Sequence, residues 1–172
     1  EIFEPGSTAK VITLAAAIEE GTATPRTQVT VPSRLARADR TFRDAEEHGV
    51  ERLTTAGVLA KSSNMGTILL GEQVPPTTME RYQRAFGLGA KTGVGLPEEP
   101  GLLTPAAQWN GSQRYTVLFG QGMACTAVQA ASVFATLAND GVRMPLTLIK
   151  NYTTADGAQH TRTVAEPVRV VS

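Results

Sequence analysis

A serine and a lysine stand three residues apart at Ser7 and Lys10, inside the run Glu4-Pro5-Gly6-Ser7-Thr8-Ala9-Lys10. Pro-Gly-Ser reads as a helix start, with Ser7 as N-cap and Lys10 at the third helical position. A helix N-terminus carries partial positive charge, so an ammonium group is an uncomfortable choice there. Residues three apart on a helix share a face, and the two side chains can meet over the N-terminus. The helix dipole and any burial both favour the neutral amine. A neutral lysine can take the proton of a serine hydroxyl. The serine then becomes a nucleophile, and nearby helical N–H groups can help hold the oxyanion that forms. The plainer reading of the tetrapeptide alone is a capping serine and a solvated lysine.

The elements that would position these residues follow from periodicity. Val11, Leu14, Ala15 and Ile18 recur at helical spacing before Gly21, so the first helix runs from about Thr8 to Glu20. Residues 25–51 hold Pro25, Pro32 and many charges. They read as a loosely structured surface segment with a short strand near 28–31, and the charged stretch Arg34 to Arg52 as a solvated face. A second helix starts at Thr54 or Thr55 and reaches Lys61. Ser62-Ser63-Asn64 interrupts it, a place where serine and asparagine cap and turn, and helical spacing resumes at Met65. Pro75-Pro76-Thr77 opens a helix through Phe86, and Gly87 to Gly101 is glycine-rich loop with at most a brief extended piece. Residues 116–122 read as a short strand or turn. Thr126 and Gln129 form a capping box for a helix with Val128, Ala131, Ala135 and Ala138 on one stripe and Val133, Phe134 and Leu137 beside it. Asp156-Gly157 reads as a hairpin turn between two strands.

Composition bounds the function classes. The 172 residues are 41% hydrophobic and 19% charged, which suits one globular domain or a piece of one. Lys and Arg balance Asp and Glu at 16 each, so nothing favours electrostatic capture of nucleic acid or of an anionic membrane. The single cysteine, Cys125, rules out an internal disulfide and reads as a small buried residue. His48 and His160 show no metal-ligand spacing and no link to Cys125. Trp109 reads as a packing residue or loop anchor. No apolar run reaches the roughly 20 residues that span a bilayer. The abrupt start before Ser7 reads as an excised fragment.

Taken together, Glu4-Pro5-Gly6-Ser7-x-x-Lys10 and Ser62-Ser63-Asn64 resemble the transpeptidase domain of class B, cell-division-type penicillin-binding proteins. The run from Phe86 to Gly101 resembles the family's glycine-rich connection, and the run from Phe119 to Lys150 its Gly-Gln-Gly segment with the following helix. The resemblance covers most of residues 1–150, with four motifs in the family's order.

The resemblance implies that Ser7 is the acylated nucleophile and Lys10 its general base. Ser62 would pass a proton between Lys10 and the leaving amine, and Asn64 would hydrogen-bond the lysine or the substrate's amide. It implies a peptidoglycan D,D-transpeptidase that β-lactams target, with stem peptides as substrates and no metal or organic cofactor. It further implies division-complex membrane proteins as partners and a place on the extracytoplasmic face of the bacterial cell membrane, anchored by a segment outside this chain. The implied fold is mainly α with a few short strands: the helical part of the α/β fold shared with serine β-lactamases, missing most of the central sheet and truncated at both ends. The alternatives are a D,D-carboxypeptidase, a serine β-lactamase-like hydrolase, and a non-catalytic scaffold or binding module. Against a class A β-lactamase, Ser63 stands where those enzymes have aspartate, and no Glu-x-x-x-Asn is found.

Lys91-Thr92-Gly93 spells the family's third motif in the wrong place. That motif lies on a central strand after the Gly-Gln-Gly segment, whereas this triplet precedes Gln121 in a glycine-rich loop. It reads as a decoy, with the catalytic triplet expected beyond Ser172 and acylation by this chain alone slow or nil. A phosphate-binding loop is excluded as well, because Ala85 and Ala90 occupy the positions where that motif needs glycine.

Overall fold

The computed structural model describes residues 1–161 and 165–172. After a 3-10 turn over Gly6–Ala9, helix α1 (Lys10–Glu19) leads to strand β1 (Gln28–Val31), the hairpin β2 (Leu35–Arg37) and β3 (Arg40–Phe42), and β4 (Glu51–Thr54). Helices α2 (Thr55–Ala60), α3 (Asn64–Gly71) and α4 (Pro76–Ala85) follow, then a short helix α5 (Gln113–Thr116) and the longer α6 (Ala127–Ala138). Strands β5 (Val142–Arg143), β6 (Asn151–Thr153), β7 (Gln159–Thr161) and β8 (Val168–Arg169) complete the chain. The described strands pair only in antiparallel twos: β1 with β4, β2 with β3, β5 with β8 and β6 with β7. The domain is therefore mainly helical with short unclosed strands, as the resemblance implies. The Asp156-Gly157 turn joins β6 to β7 as expected.

α1 sits at the centre. Ala16 and Ala17 are fully buried, and Thr13 donates its hydroxyl to the Leu118 carbonyl at 2.7 Å. α3 crosses it closely because Gly71 has no side chain: a Cβ there would lie 2.5 Å from Thr13 Cγ2. The main core gathers Ile12, Leu14, Leu70, Met79, Phe86 and Leu118 with Cys125, which is buried as expected. Trp109 packs on the same core and donates Nε1–H to the Thr104 carbonyl at 2.9 Å, which is the anchoring role predicted for it.

Three regions differ from the sequence reading. Residues 25–51 are not loosely structured. Val31, Leu35 and Phe42 are buried against Met65, Ile68 and Phe119, with the Phe42 and Phe119 rings edge to face at 6.0 Å. Arg37 clamps Glu72 at the end of α3 with two parallel bonds of 2.8 and 2.7 Å. Three apolar residues spread among charges gave no periodic signal, but each packs from a different strand. Residues 116–122 are neither strand nor simple turn. α5 tightens into a 3-10 turn over Val117–Phe119, which Gly120 ends at φ +80°. The third difference is which face α6 buries. The capping box is present, yet Val128 and Phe134 are exposed while Gln129, Ser132, Val133 and Thr136 are buried. The buried face is polar because its groups have partners. Gln129 donates Nε2–H to the carbonyls of Ala90 and Pro100 at 2.7 and 2.9 Å, and so gathers both ends of the 87–101 loop. Thr136 bonds back to the Ser132 carbonyl.

Candidate active site

The chain starts to coil before Ser7. The Thr8 N–H bonds the Pro5 carbonyl at 3.3 Å, so the 3-10 turn, entered through Pro5 at φ −66° and left-handed Gly6 at φ +53°, already encloses Ser7. Ser7 therefore lies inside the turn and is not the N-cap predicted for it. Its side chain caps nothing, and its carbonyl accepts the Lys10 N–H that opens α1. In a 3-10 turn side chains three apart eclipse, so Ser7 and Lys10 still share one face. The Ser7 side chain is exposed and its hydroxyl has no hydrogen-bond partner among the described residues.

Lys10 is the opposite case. It is 0% exposed, among the largest fully buried side chains of the chain. Its Nζ donates to the Ser62 carbonyl and lies 3.0 Å from Ser62 Oγ. Burial pulls its pKa down from 10.5 to about 8, and the negative charge of Asp44 partly opposes the fall. At neutral pH roughly a tenth of the molecules hold the free amine, far more than an ordinary lysine would.

Ser62 reaches Lys10 through a strained turn. Helix α2 ends with Ser62 N–H on the Leu59 carbonyl and Ser63 N–H on the Val58 carbonyl, both at 3.0 Å. That is the Schellman pattern, whose left-handed position normally takes glycine. Here it takes Ser62, at φ +56°. The next residue, Ser63, caps α3 by accepting the Gly66 N–H at 2.8 Å. A stop and a start thus meet at one peptide, and the Ser62 carbonyl and hydroxyl both turn toward Lys10.

Asp44 holds the other side of this junction. One carboxylate oxygen accepts the Met65 N–H at 2.9 Å and the other the Ser63 hydroxyl at 2.6 Å. The second oxygen also lies 3.2 Å from His48 Nε2, and hydrogen bonds to Gly49 and Asp44 raise the His48 pKa. The Asp44 side chain is only 12% exposed, so the stretch 34–52 is not wholly the solvated face predicted for it. Sequence reasoning missed Asp44, because its partners lie about twenty residues downstream and no local pattern marks it.

The structure thus joins Lys10 and Ser62 directly, with Ser7 three residues before Lys10 in the turn that opens α1. Asn64 opens α3 two residues after Ser62, donates Nδ2–H to the Arg43 carbonyl at 3.2 Å and makes no bond to Lys10. Lys91-Thr92-Gly93 lies in the loop between α4 and α5, outside any strand. There the Thr92 N–H and hydroxyl and the Gly93 and Val94 N–H groups all bond the Glu98 carboxylate. Among the described residues there is no cluster of potential metal ligands and no helix long and apolar enough to cross a membrane.

Known proteins share this sequence and fold. The family described as penicillin binding protein transpeptidase domain matches residues 1–171. The chain is 45% identical over 171 residues to penicillin-binding protein PbpB of Mycolicibacterium smegmatis, covering 99% of this chain and 26% of that protein. It is 34% identical over 152 residues to the peptidoglycan D,D-transpeptidase FtsI of Escherichia coli K12, covering 87% of this chain and 25% of the relative. Penicillin binding protein 3 of Mycobacterium tuberculosis, solved with aztreonam, superposes with a TM-score of 0.97 at 42% identity over 100% of this chain and 39% of that one. Its ampicillin complex superposes equally well. The chain spans about a quarter of the length of these curated relatives.

Proposed function

The chain belongs to the penicillin binding protein transpeptidase domain family, and on that premise we propose that it carries the nucleophile, base and hydroxyl relay of a peptidoglycan D,D-transpeptidase. The single observation that carries the reading is Lys10: fully buried, shifted toward its neutral form, and bonded to Ser62 one turn from an unpartnered serine hydroxyl.

Each group has one task. Ser7 Oγ attacks the carbonyl of the penultimate D-alanine of a stem peptide as its proton passes to Lys10 Nζ. Of the turn's N–H groups, those of Gly6, Thr8 and Lys10 already bond the Gly120, Pro5 and Ser7 carbonyls, so the Ser7 N–H is the donor this turn offers the developing oxyanion. The C–N bond then breaks. Lys10 returns the proton through Ser62 Oγ to the departing amine, so the terminal D-alanine leaves neutral at nitrogen and Ser7 holds the acyl group. An amine of a second stem peptide attacks this ester, gives up its proton along the same path in reverse, and closes the cross-link while Ser7 regains its hydrogen. Asn64 stands where it can orient the substrate's amide. A β-lactam enters by the same first step, and the ring keeps its amine tethered, so the acyl-enzyme persists. Such substrates place the site on the extracytoplasmic face of the membrane, with division proteins as neighbours of the parent protein.

Intact-mass measurement of the full-length protein after incubation with benzylpenicillin tests this. A single adduct that maps to Ser7 and vanishes in Ser7→Ala supports the reading. A folded protein that takes no adduct, or one that keeps it in Ser7→Ala, overturns it.

A further inference from the structure

The turn that presents Ser7 rests on a remote piece of backbone. Gly120 lies directly beneath it. The Gly6 N–H bonds the Gly120 carbonyl at 3.0 Å. A Cβ on Gly120 would sit 2.2 Å from the Gly6 carbonyl oxygen and 2.9 Å from Ala9 Cβ, one residue before Ser7 and two after it. Gly120 also has φ +80°, where a side chain is strained regardless of space. Two residues on, the Gly122 N–H bonds the Glu4 carboxylate at 2.8 Å. Phe3 and Cys125 then exchange two backbone bonds of 2.9 Å. The chain leading into the nucleophile is thus docked on residues 120–125 like a short paired strand, with Gly120 at its closest point. By contrast, a Cβ at Gly6 would meet nothing within 4 Å.

We propose that Gly120 and Glu4 are positioning residues for the nucleophile: the bare Gly120 backbone sets the depth of the Gly6–Ala9 turn, and Glu4 fixes its lateral register through Gly122. Neither touches the reacting atoms. Each acts through the direction in which Ser7 Oγ and the Ser7 N–H point. This rests on the acyl-transfer reading of Ser7. The packing is tight enough that a single methyl at Gly120 must lift the turn by several tenths of an ångström, a scale at which displaced reacting groups lose much of their rate.

The test measures benzylpenicillin acylation in the full-length protein, separating the dissociation constant of the first, non-covalent complex from the rate of the covalent step. Gly120→Ala should slow the covalent step by ~10- to 100-fold while the dissociation constant moves less than ~3-fold. Glu4→Ala should slow it by ~10-fold, and Glu4→Gln, which keeps an acceptor oxygen for Gly122, should recover most of the loss. Gly157→Ala is the control for backbone strain alone: Gly157 has φ +84° in the β6–β7 turn, with no atom within 4 Å of its missing Cβ, and its covalent step should match the unsubstituted protein. If Gly120→Ala does not fold, the Glu4 pair decides. Unchanged covalent rates in folded Gly120→Ala or Glu4→Ala overturn the proposal. So does Glu4→Gln behaving like Glu4→Ala. If the unsubstituted protein takes no adduct on Ser7, the acyl-transfer reading itself has failed.

Discussion

Two turns deliver the hydroxyls of this site, and they handle backbone strain in opposite ways. At the Ser7 turn the left-handed positions are glycines, Gly6 at φ +53° and Gly120 at φ +80°, so Ser7 itself stays within the 3-10 turn. At the α2–α3 junction the left-handed position is Ser62 itself. A side chain there costs about 1–2 kcal/mol relative to glycine. The difference teaches where a side chain is dispensable. Around Ser7 the backbone needs only room. At position 62 the hydroxyl must be delivered to Lys10, and the chain tolerates strain to deliver it.

The largest test of this contrast removes Lys10, the group that Ser62 reaches. Lys10→Met should keep the buried stem packed and lower the rate of acylation by ~10³-fold or more, read as the time course of benzylpenicillin adduct formation. Next, Ser62→Gly separates strain from delivery. It should lower the acylation rate by ~10²-fold yet raise stability by about 0.5–1 kcal/mol in urea unfolding, because the left-handed turn relaxes. Ser62→Ala should lose the same activity without the gain. If Ser62→Gly is both slower and less stable, the strain argument fails.

A smaller effect concerns charge. Lys10 must be neutral to accept a proton, so acylation should rise with pH through about 8, the acid side being the protonated lysine. Asp44 holds the Lys10 proton more tightly, so Asp44→Asn should move this rise to lower pH, seen in rate profiles between pH 5 and 10. A shift to higher pH would refute the assignment. Smallest of all, Lys91→Ala should leave the acylation rate within ~2-fold, because that triplet lies off any strand and is occupied with Glu98.

What was legible in the sequence was local. The Ser7–Lys10 spacing, the Thr126–Gln129 capping box, the α2–α3 break and the Asp156-Gly157 turn all depend on residues a few positions apart. What escaped notice depends on contacts between distant segments. Asp44 is one carboxylate among many in a charged stretch until α3 folds against it. The buried face of α6 reads as its polar side until the carbonyls of the 87–101 loop arrive to satisfy Gln129. Ser7 lost its capping role because the 3-10 turn already opens on the Pro5 carbonyl, which accepts the Thr8 N–H, a choice between two starts that the tetrapeptide does not decide.

That glutamine has a consequence for how the molecule can change over time. Gln129 holds both ends of the 87–101 loop, and Val94, buried at 6% exposure, fastens it again nearer the tip. Codons for its exposed positions, such as Lys91 and Leu96, can then drift without disturbing the corner where Lys10 meets Ser62.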